Sequence, residues 1–299
     1  MKQYLDLLAS IMEMGEDLPT RQGGKVRSLV APPIMTYDLR DGFPLATTKK
    51  VFFKGVVEEL LWFLRGDTSI GPLVREGVNI WNADWMRWNQ AIQKDSLKQL
   101  IDTMRTDPTA DNLGKLGKVY GYQWRNFGGS GEEGVFDGTD QIKEVLKSLR
   151  EDPYGRRHIV SAWNASELDQ MALPPCHVLF QFFRRPSAEG APDYLDLIMY
   201  QRSADTLLGV PFNIASYSLL LMLVANELSI VPRNFKHVIG DAHVYHDHFD
   251  AVRKQLTRTP KDLPIVEITR GMSVLDIRSS DIVLVGYEPL DAIKAPLIV

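Results

Sequence analysis

The alternation of apolar and polar positions sets out most of the elements before any single residue is singled out. Met1-Lys-Gln-Tyr-Leu-Asp-Leu-Leu-Ala-Ser-Ile-Met is an apolar run broken by charge, and it predicts an amphipathic helix over residues 1–15. Val26 to Asp41 alternates loosely, as strands do, and Gly42 to Lys50 connects it to a helix over Val51–Leu64. At about 100° per residue, Glu58 shares a face of that helix with Lys54 and Arg65 and reads as solvated, whereas Glu59 falls among Phe52, Val56 and Phe63. Residues 86–116 are polar and rich in Asp and Lys, with helix-compatible stretches, and read as a variable surface insertion. Gly128 to Asp137 is a loop, Gln141–Asp152 a helix, and Arg156 to Trp163 a strand that opens on paired arginines. Ala172 to Phe183 passes from Pro-Pro into an apolar strand, and Tyr194 to Met199 is a second strand that runs into the polar Tyr200-Gln-Arg-Ser-Ala-Asp205. Ile214 to Ala225 is the longest apolar stretch, short of the roughly 20 residues that cross a bilayer, and it predicts a core helix.

Composition narrows the function classes. The chain has 299 residues, 44% hydrophobic and 24% charged, with a formal charge of −4, which suits one large globular core. Such a balance gives no electrostatic footprint for nucleic acid or a membrane, so an anion site has to be a local arginine cluster. A single cysteine forms no internal disulfide, which fits a reducing compartment, and no Cys/His spacing suggests zinc. The charged N-terminus does not read as a signal peptide, so the expected location is cytoplasmic.

Chemistry concentrates in a few segments. Cys176 sits between a Pro-Pro pair and an apolar run. With an unperturbed pKa of about 8.5, a nucleophilic thiol needs nearby positive charge, and Arg156, Arg157 and Arg202 lie one strand away on either side. Glu59, a carboxylate on an apolar flank, is a general acid/base with a raised pKa or a side chain that snorkels out. Ile80-Trp81-Asn82, Trp85 and Trp88 form an aromatic cluster that either stacks on a flat ring or caps a core. Thr20 to Lys25 is a glycine-rich turn with two cations, able to grip an anion or simply solvated. Asn213 reads as a helix N-cap or as an amide matched to a pyrimidine edge. His243 and Tyr245 share a strand face by period two, while His246 and His248 lack the further ligands a metal needs.

These segments resemble the thymidylate synthase family along nearly the whole chain. The motifs that carry the resemblance are Glu59-Leu-Leu-Trp-Phe, Ile80-Trp81, Tyr120-Gly-Tyr-Gln-Trp, the Arg156-Arg157 pair, Leu173-Pro-Pro-Cys-His, Tyr200-Gln-Arg-Ser, Gly209-Val-Pro-Phe-Asn-Ile-Ala-Ser-Tyr217 and Gly240-Asp-Ala-His-Val-Tyr245. The resemblance implies a single α/β domain over residues 1–299, a large mixed sheet covered by helices, and a homodimer formed through the back of that sheet. It implies that Cys176 adds to C6 of dUMP and that 5,10-methylenetetrahydrofolate gives C5 both a carbon and a hydride, yielding dTMP and dihydrofolate. Arg21, Gln201, Arg202 and Ser203 would hold the nucleotide, joined by Arg156 and Arg157 from a second subunit. Asn213 would meet the uracil edge, His243 and Tyr245 the 3′-hydroxyl, and Glu59 would manage protons near Tyr120. Trp81, Asn82, Leu173, Asp205, Gly209 and Val299 would enclose the folate, with Lys49 near its glutamate tail. The chain departs from the family at Gln22-Gly-Gly-Lys25, at Asn82 where Asp is common and at Lys118 where Pro is usual. The related hydroxymethylases share the cysteine and arginines but let water capture the new carbon. A non-catalytic nucleotide-binding regulator would need no Cys176 and Glu59 together. A cysteine hydrolase is disfavoured because adjacent Cys176 and His177 on a strand point to opposite faces.

Overall fold

A computed structural model describes residues 1–20, 23–90, 92–131 and 135–298. In chain order its elements are α1 (Lys2–Met14), β1 (Glu16–Pro19), β2 (Lys25–Val30), β3 (Met35–Asp38), α2 (Phe53–Arg65), α3 (Gly71–Arg75), α4 (Asn82–Trp88), α5 (Lys94–Thr106), α6 (Tyr120–Arg125), α7 (Gln141–Glu151), β4 (Ile159–Ser161), β5 (His177–Arg185), β6 (Tyr194–Asp205), α8 (Gly209–Glu227), β7 (Val231–Tyr245), α9 (Phe249–Leu256), β8 (Ile265–Ile268) and β9 (Ile282–Val285). The main sheet runs β1-β2-β7-β6-β5-β4, with β3 also on β7, and β8 pairs with β9 separately. Its neighbours are antiparallel except β6 and β7, whose parallel pairing is allowed by the crossover through α8. This is the α/β architecture with a mixed sheet.

Period-two burial gives the sheet two unlike faces. Phe180, Phe182, Leu197, Met199 and Phe235 point to the core, where α8 packs on β6 and β7. On the other face Gln181, Phe183, Ile198, Lys236 and Val238 are half-buried and Tyr200 is exposed. Helix α8 extends beyond the expected stretch at both ends; its 19 residues are long and apolar enough to cross a membrane by composition, but they lie buried at the centre of the fold.

Three expectations are corrected here. Glu58 is only 6% exposed, because α3, α6 and α8 surround α2, so the helix has no wholly solvated face. Its Oε1 has no hydrogen-bond partner among the described residues. The strand predicted over Arg156 to Trp163 shrinks to Ile159–Ser161, leaving both arginines in the exposed approach to it. Residues 86–116 are more than a polar surface. Leu97, Ile101 and Met104 of α5 join the core, and Arg75 grips Asp111 through two bonds of 2.5 and 2.7 Å.

Candidate active site

The start of β5 forms one wall of a cleft of about 800 Å³, and Cys176 lines it. The turn that presents the cysteine is held from three directions. The Tyr120 hydroxyl of α6 accepts the Cys176 backbone N–H at 2.7 Å. The Arg202 backbone N–H donates to the Cys176 carbonyl at 2.8 Å. The Arg202 guanidinium donates to the carbonyls of Pro175 and Pro174 at 2.8 and 2.9 Å, and lies 5.5 Å from the Trp163 ring centre.

Burial dominates the thiol and pushes its pKa up; Arg202 draws it down and Asp84 raises it further. Of the three expected arginines, Arg202 acts on the sulfur, while Arg156 and Arg157 do not within one chain. Strand β4 pairs with β5 through Ile159 opposite Gln181, which leaves Arg156 and Arg157 toward the far end of β5 from Cys176. Both are exposed, and Arg157 pairs with Asp152 at 3.4 Å.

Glu59 projects from α2 into the same cleft. Burial raises its pKa to about 7, against a hydrogen bond from Trp81 Nε1 to Oε1 at 2.8 Å that favours ionisation. A carboxyl with that pKa can both give and take a proton near neutral pH.

Opposite these groups, α8 begins at Gly209, so Asn213 lies inside the first turns and is not an N-cap. No side chain caps the start, and Asp205 orders the turn just before it, its Oδ1 accepting the backbone N–H groups of Leu207 and Leu208 at 3.0 and 3.1 Å. Asn213 faces the cleft and is anchored from behind by Gln201, whose Nε2 donates to Asn213 Oδ1 and to the Ser203 carbonyl, both at 3.1 Å. Gln201 Oε1 pairs with His237 Nε2 at 2.8 Å. Burial lowers the pKa of His237 to about 3 and of His177 to about 4, so both rings are neutral.

Leu173, Ser203, Asp205, Gly209, His243 and Tyr245 also line the cleft. Other expected contributors do not reach its wall. Trp81 is buried among Trp62, Phe63 and Tyr120 and acts on Glu59 instead of presenting a face. Asn82 turns to Asn79 at 3.0 Å. Lys49 is buried with its ammonium on the Leu207 carbonyl, and burial lowers its pKa to about 8, so it does not extend toward a ligand's distal end. His246 pairs with Asp17 at 3.1 Å and His248 with the Pro296 carbonyl at 2.7 Å, so the two do not converge. Arg21 and Val299 lie outside the described residues.

A family model described as thymidylate synthase matches residues 2–299. The chain belongs to the thymidylate synthase family. A thymidylate synthase of Mycoplasma genitalium is 45% identical over 292 residues, covering 96% of each chain. That of Mycoplasma pneumoniae is 43% identical over 304 residues, covering 100% of both, and that of Saccharomyces cerevisiae is 43% identical over 298, covering 96% of this chain and 93% of its own.

Lys118, where the resemblance led to an expected Pro, has a defined place in the fold. Its ammonium pairs with Glu167 at 2.6 Å and the Gly129 carbonyl at 3.2 Å, away from the cleft. The cleft also holds an ion pair that the aromatic reading of this stretch passed over, Asp84 with Arg87 at 2.6 Å. Its signal was the i, i+3 spacing of opposite charges on a short helix.

Proposed function

We propose that this enzyme methylates dUMP to dTMP with 5,10-methylenetetrahydrofolate as carbon donor and reductant. The observation that carries the reading is the convergence of Cys176, Glu59 and the anchored Asn213 amide on one cleft. In this reading the Cys176 sulfur bonds to C6 of the uracil, the C5–C6 π electrons move onto C5, and C5 becomes the nucleophile. Since burial raises the thiol pKa, the thiol loses its proton as sulfur meets C6, and Glu59 in the same cleft is the base placed to take it. Glu59, with a pKa of about 7, handles protons at the base. Asn213 accepts from uracil N3–H and donates to O4. His243 and Tyr245 meet the sugar, and Arg202 with Ser203 the phosphate.

The residues around the remaining space suit a reduced folate. Ile80, Leu208, Phe212, Leu297 and Ile298 are apolar walls for a flat ring, and Asp205 is an acceptor among them. A cleft of about 800 Å³ falls in the roughly 300–1,000 Å³ typical of small-molecule sites. When bound, the folate supplies the one-carbon unit and the hydride. The chain's own part is to hold both reactants and exclude water, and the His248 bond to the Pro296 carbonyl keeps the C-terminal segment beside the cleft.

The half-buried sheet face, with Phe183, Ile198, Val238 and the exposed Tyr200, supports a homodimer through that surface. Arg156 and Arg157, exposed and remote from their own Cys176, would then complete the partner's phosphate site. The single free cysteine suits a cytoplasmic location.

The test is to incubate the protein with dUMP and methylenetetrahydrofolate and weigh the nucleotide product. Formation of dTMP with one dihydrofolate per turnover is expected. A 5-hydroxymethyl product with tetrahydrofolate would place water, not hydride, at the last step.

A further inference from the structure

Asp241 lies on β7, where one carboxylate ties three strands together beside the cleft. Ser28 of β2 donates to Oδ1, Ser203 of β6 donates to Oδ2 at 3.4 Å, and His243 Nδ1 meets the same Oδ2 at 3.0 Å. The register makes this convergence unavoidable: Ser203 is paired with Asp241 on one side, and Ser28 with His243 on the other. Ser203 and His243 line the cleft and Asp241 stands behind them. Burial disfavours the charged carboxylate, but the hydrogen bonds from His243, Ser28 and Ser203 outweigh it and hold its pKa below the usual range.

An ionised carboxylate only accepts. The His243 nitrogen that faces it must therefore carry the proton. A neutral imidazole has one donor and one acceptor, so a proton fixed on Nδ1 leaves Nε2 as an acceptor on the other side of the ring. Tyr245, its ring edge-on to His243 with centroids 5.4 Å apart, limits rotation of that imidazole.

We propose that Asp241 is a positioning residue that fixes His243 as the Nδ1–H tautomer, so that its Nε2 meets a sugar hydroxyl as an acceptor. This rests on the reading of the cleft as a nucleotide site. It predicts that the tautomer of a cleft-lining ring is set by a residue outside the cleft wall.

Two measurements test it. In ligand-free ¹⁵N-labelled protein, with the ring signals assigned against a His243→Asn variant, His243 should show a protonated Nδ1 and a bare Nε2. A predominant Nε2–H ring in the wild type overturns the proposal, with no reliance on a variant that folds. Second, Asp241→Leu removes the acceptor that faces Nδ1, and the Nε2–H form of His243 should appear in the same spectrum. An Asp241→Leu protein whose His243 remains wholly the Nδ1–H form also overturns it. A wild type that binds no dUMP refutes the nucleotide reading and the proposal with it, whereas one that binds dUMP with the other tautomer refutes the role of Asp241 alone.

Discussion

Gln201 hydrogen-bonds Asn213 in one direction only. Its Nε2 faces two acceptors, Asn213 Oδ1 and the Ser203 carbonyl, each at 3.1 Å, so the amide cannot be turned over without setting oxygen against oxygen. Gln201 Oε1 then requires a proton from His237 Nε2, at 2.8 Å, and the neutral, buried His237 has one to give. The chain of bonds fixes which end of the Asn213 amide is oxygen, and the freedom to match cytosine by rotation is removed.

Base choice should therefore follow residue 213. With Asp in that place Gln201 can still donate to it, but the group offered to the base accepts from a 4-amino group instead of donating to O4. Asn213→Asp should raise the kcat/KM ratio of dCMP to dUMP by roughly tenfold or more, since mispairing a buried polar group costs on the order of 1–3 kcal/mol. An unchanged ratio would leave Asn213 a structural residue.

Glu59 links pH to stability as well as to activity. Its carboxyl titrates at 4.5 in an unconstrained chain and at about 7 in the fold, so between those values the folded state holds the extra proton. Stability contributed by this group is present in full below pH 4.5 and falls as pH rises through 7, by at most about 3 kcal/mol at 1.36 kcal/mol per unit. Glu59→Gln keeps an acceptor for Trp81 and removes the buried charge. It should match the wild type in denaturant unfolding at pH 5 and exceed it at pH 8, while turnover falls by roughly 10²–10⁴.

The Lys118–Glu167 pair is nearly enclosed, with side chains 14% and 10% exposed. Glu167 also receives bonds from Gln123 and Asn164, at 2.8 and 2.9 Å. Removing only the cation leaves a buried carboxylate, and Lys118→Met should lower unfolding stability by about 3 kcal/mol. Adding Glu167→Gln should restore much of that loss, because the penalty belongs to the uncompensated charge. A double variant no more stable than the single one would contradict this.

If the sheet face is the dimer interface, sites are shared. Mixing inactive Cys176→Ser with inactive Arg157→Ala under conditions of subunit exchange should recover part of the activity, because one site of each mixed dimer then has an intact Cys176 and an intact Arg157. Sedimentation should give a dimer for each variant. No recovery with exchange verified would assign Arg157 to another task.

Much of this was legible from residue type and order. Cys176 after Pro-Pro, the apolar flank of Glu59 and the period-two pairing of His243 with Tyr245 are local patterns, and each reaches the cleft. What periodicity could not supply was the number of neighbours. Glu58 reads as solvated beside Lys54 and Arg65, yet other helices cover that side of α2 as well. Nor does order along the chain give register: Arg202 lies under the Cys176 turn because β5 and β6 are antiparallel there, and Arg156 and Arg157 lie far off because β4 meets β5 further along. Asn213 as a cap failed for a related reason, since Asp205 already bonds the N–H groups just before α8 and the helix begins four residues before Asn213. Asp241 stands in the Gly240–Tyr245 motif and shares the strand face of His243 by period two, but its bonds to Ser28 and Ser203 come from β2 and β6 and depend on register.

As the proposed nucleophile, Cys176 activates C5 of the pyrimidine. Releasing tritium from [5-³H]dUMP in the presence of methylenetetrahydrofolate measures that step directly. The wild type should release one tritium for each dTMP and each dihydrofolate formed. Cys176→Ser should bind dUMP through its remaining contacts but release no tritium above background, and substantial release by that variant would contradict the assignment of the nucleophile.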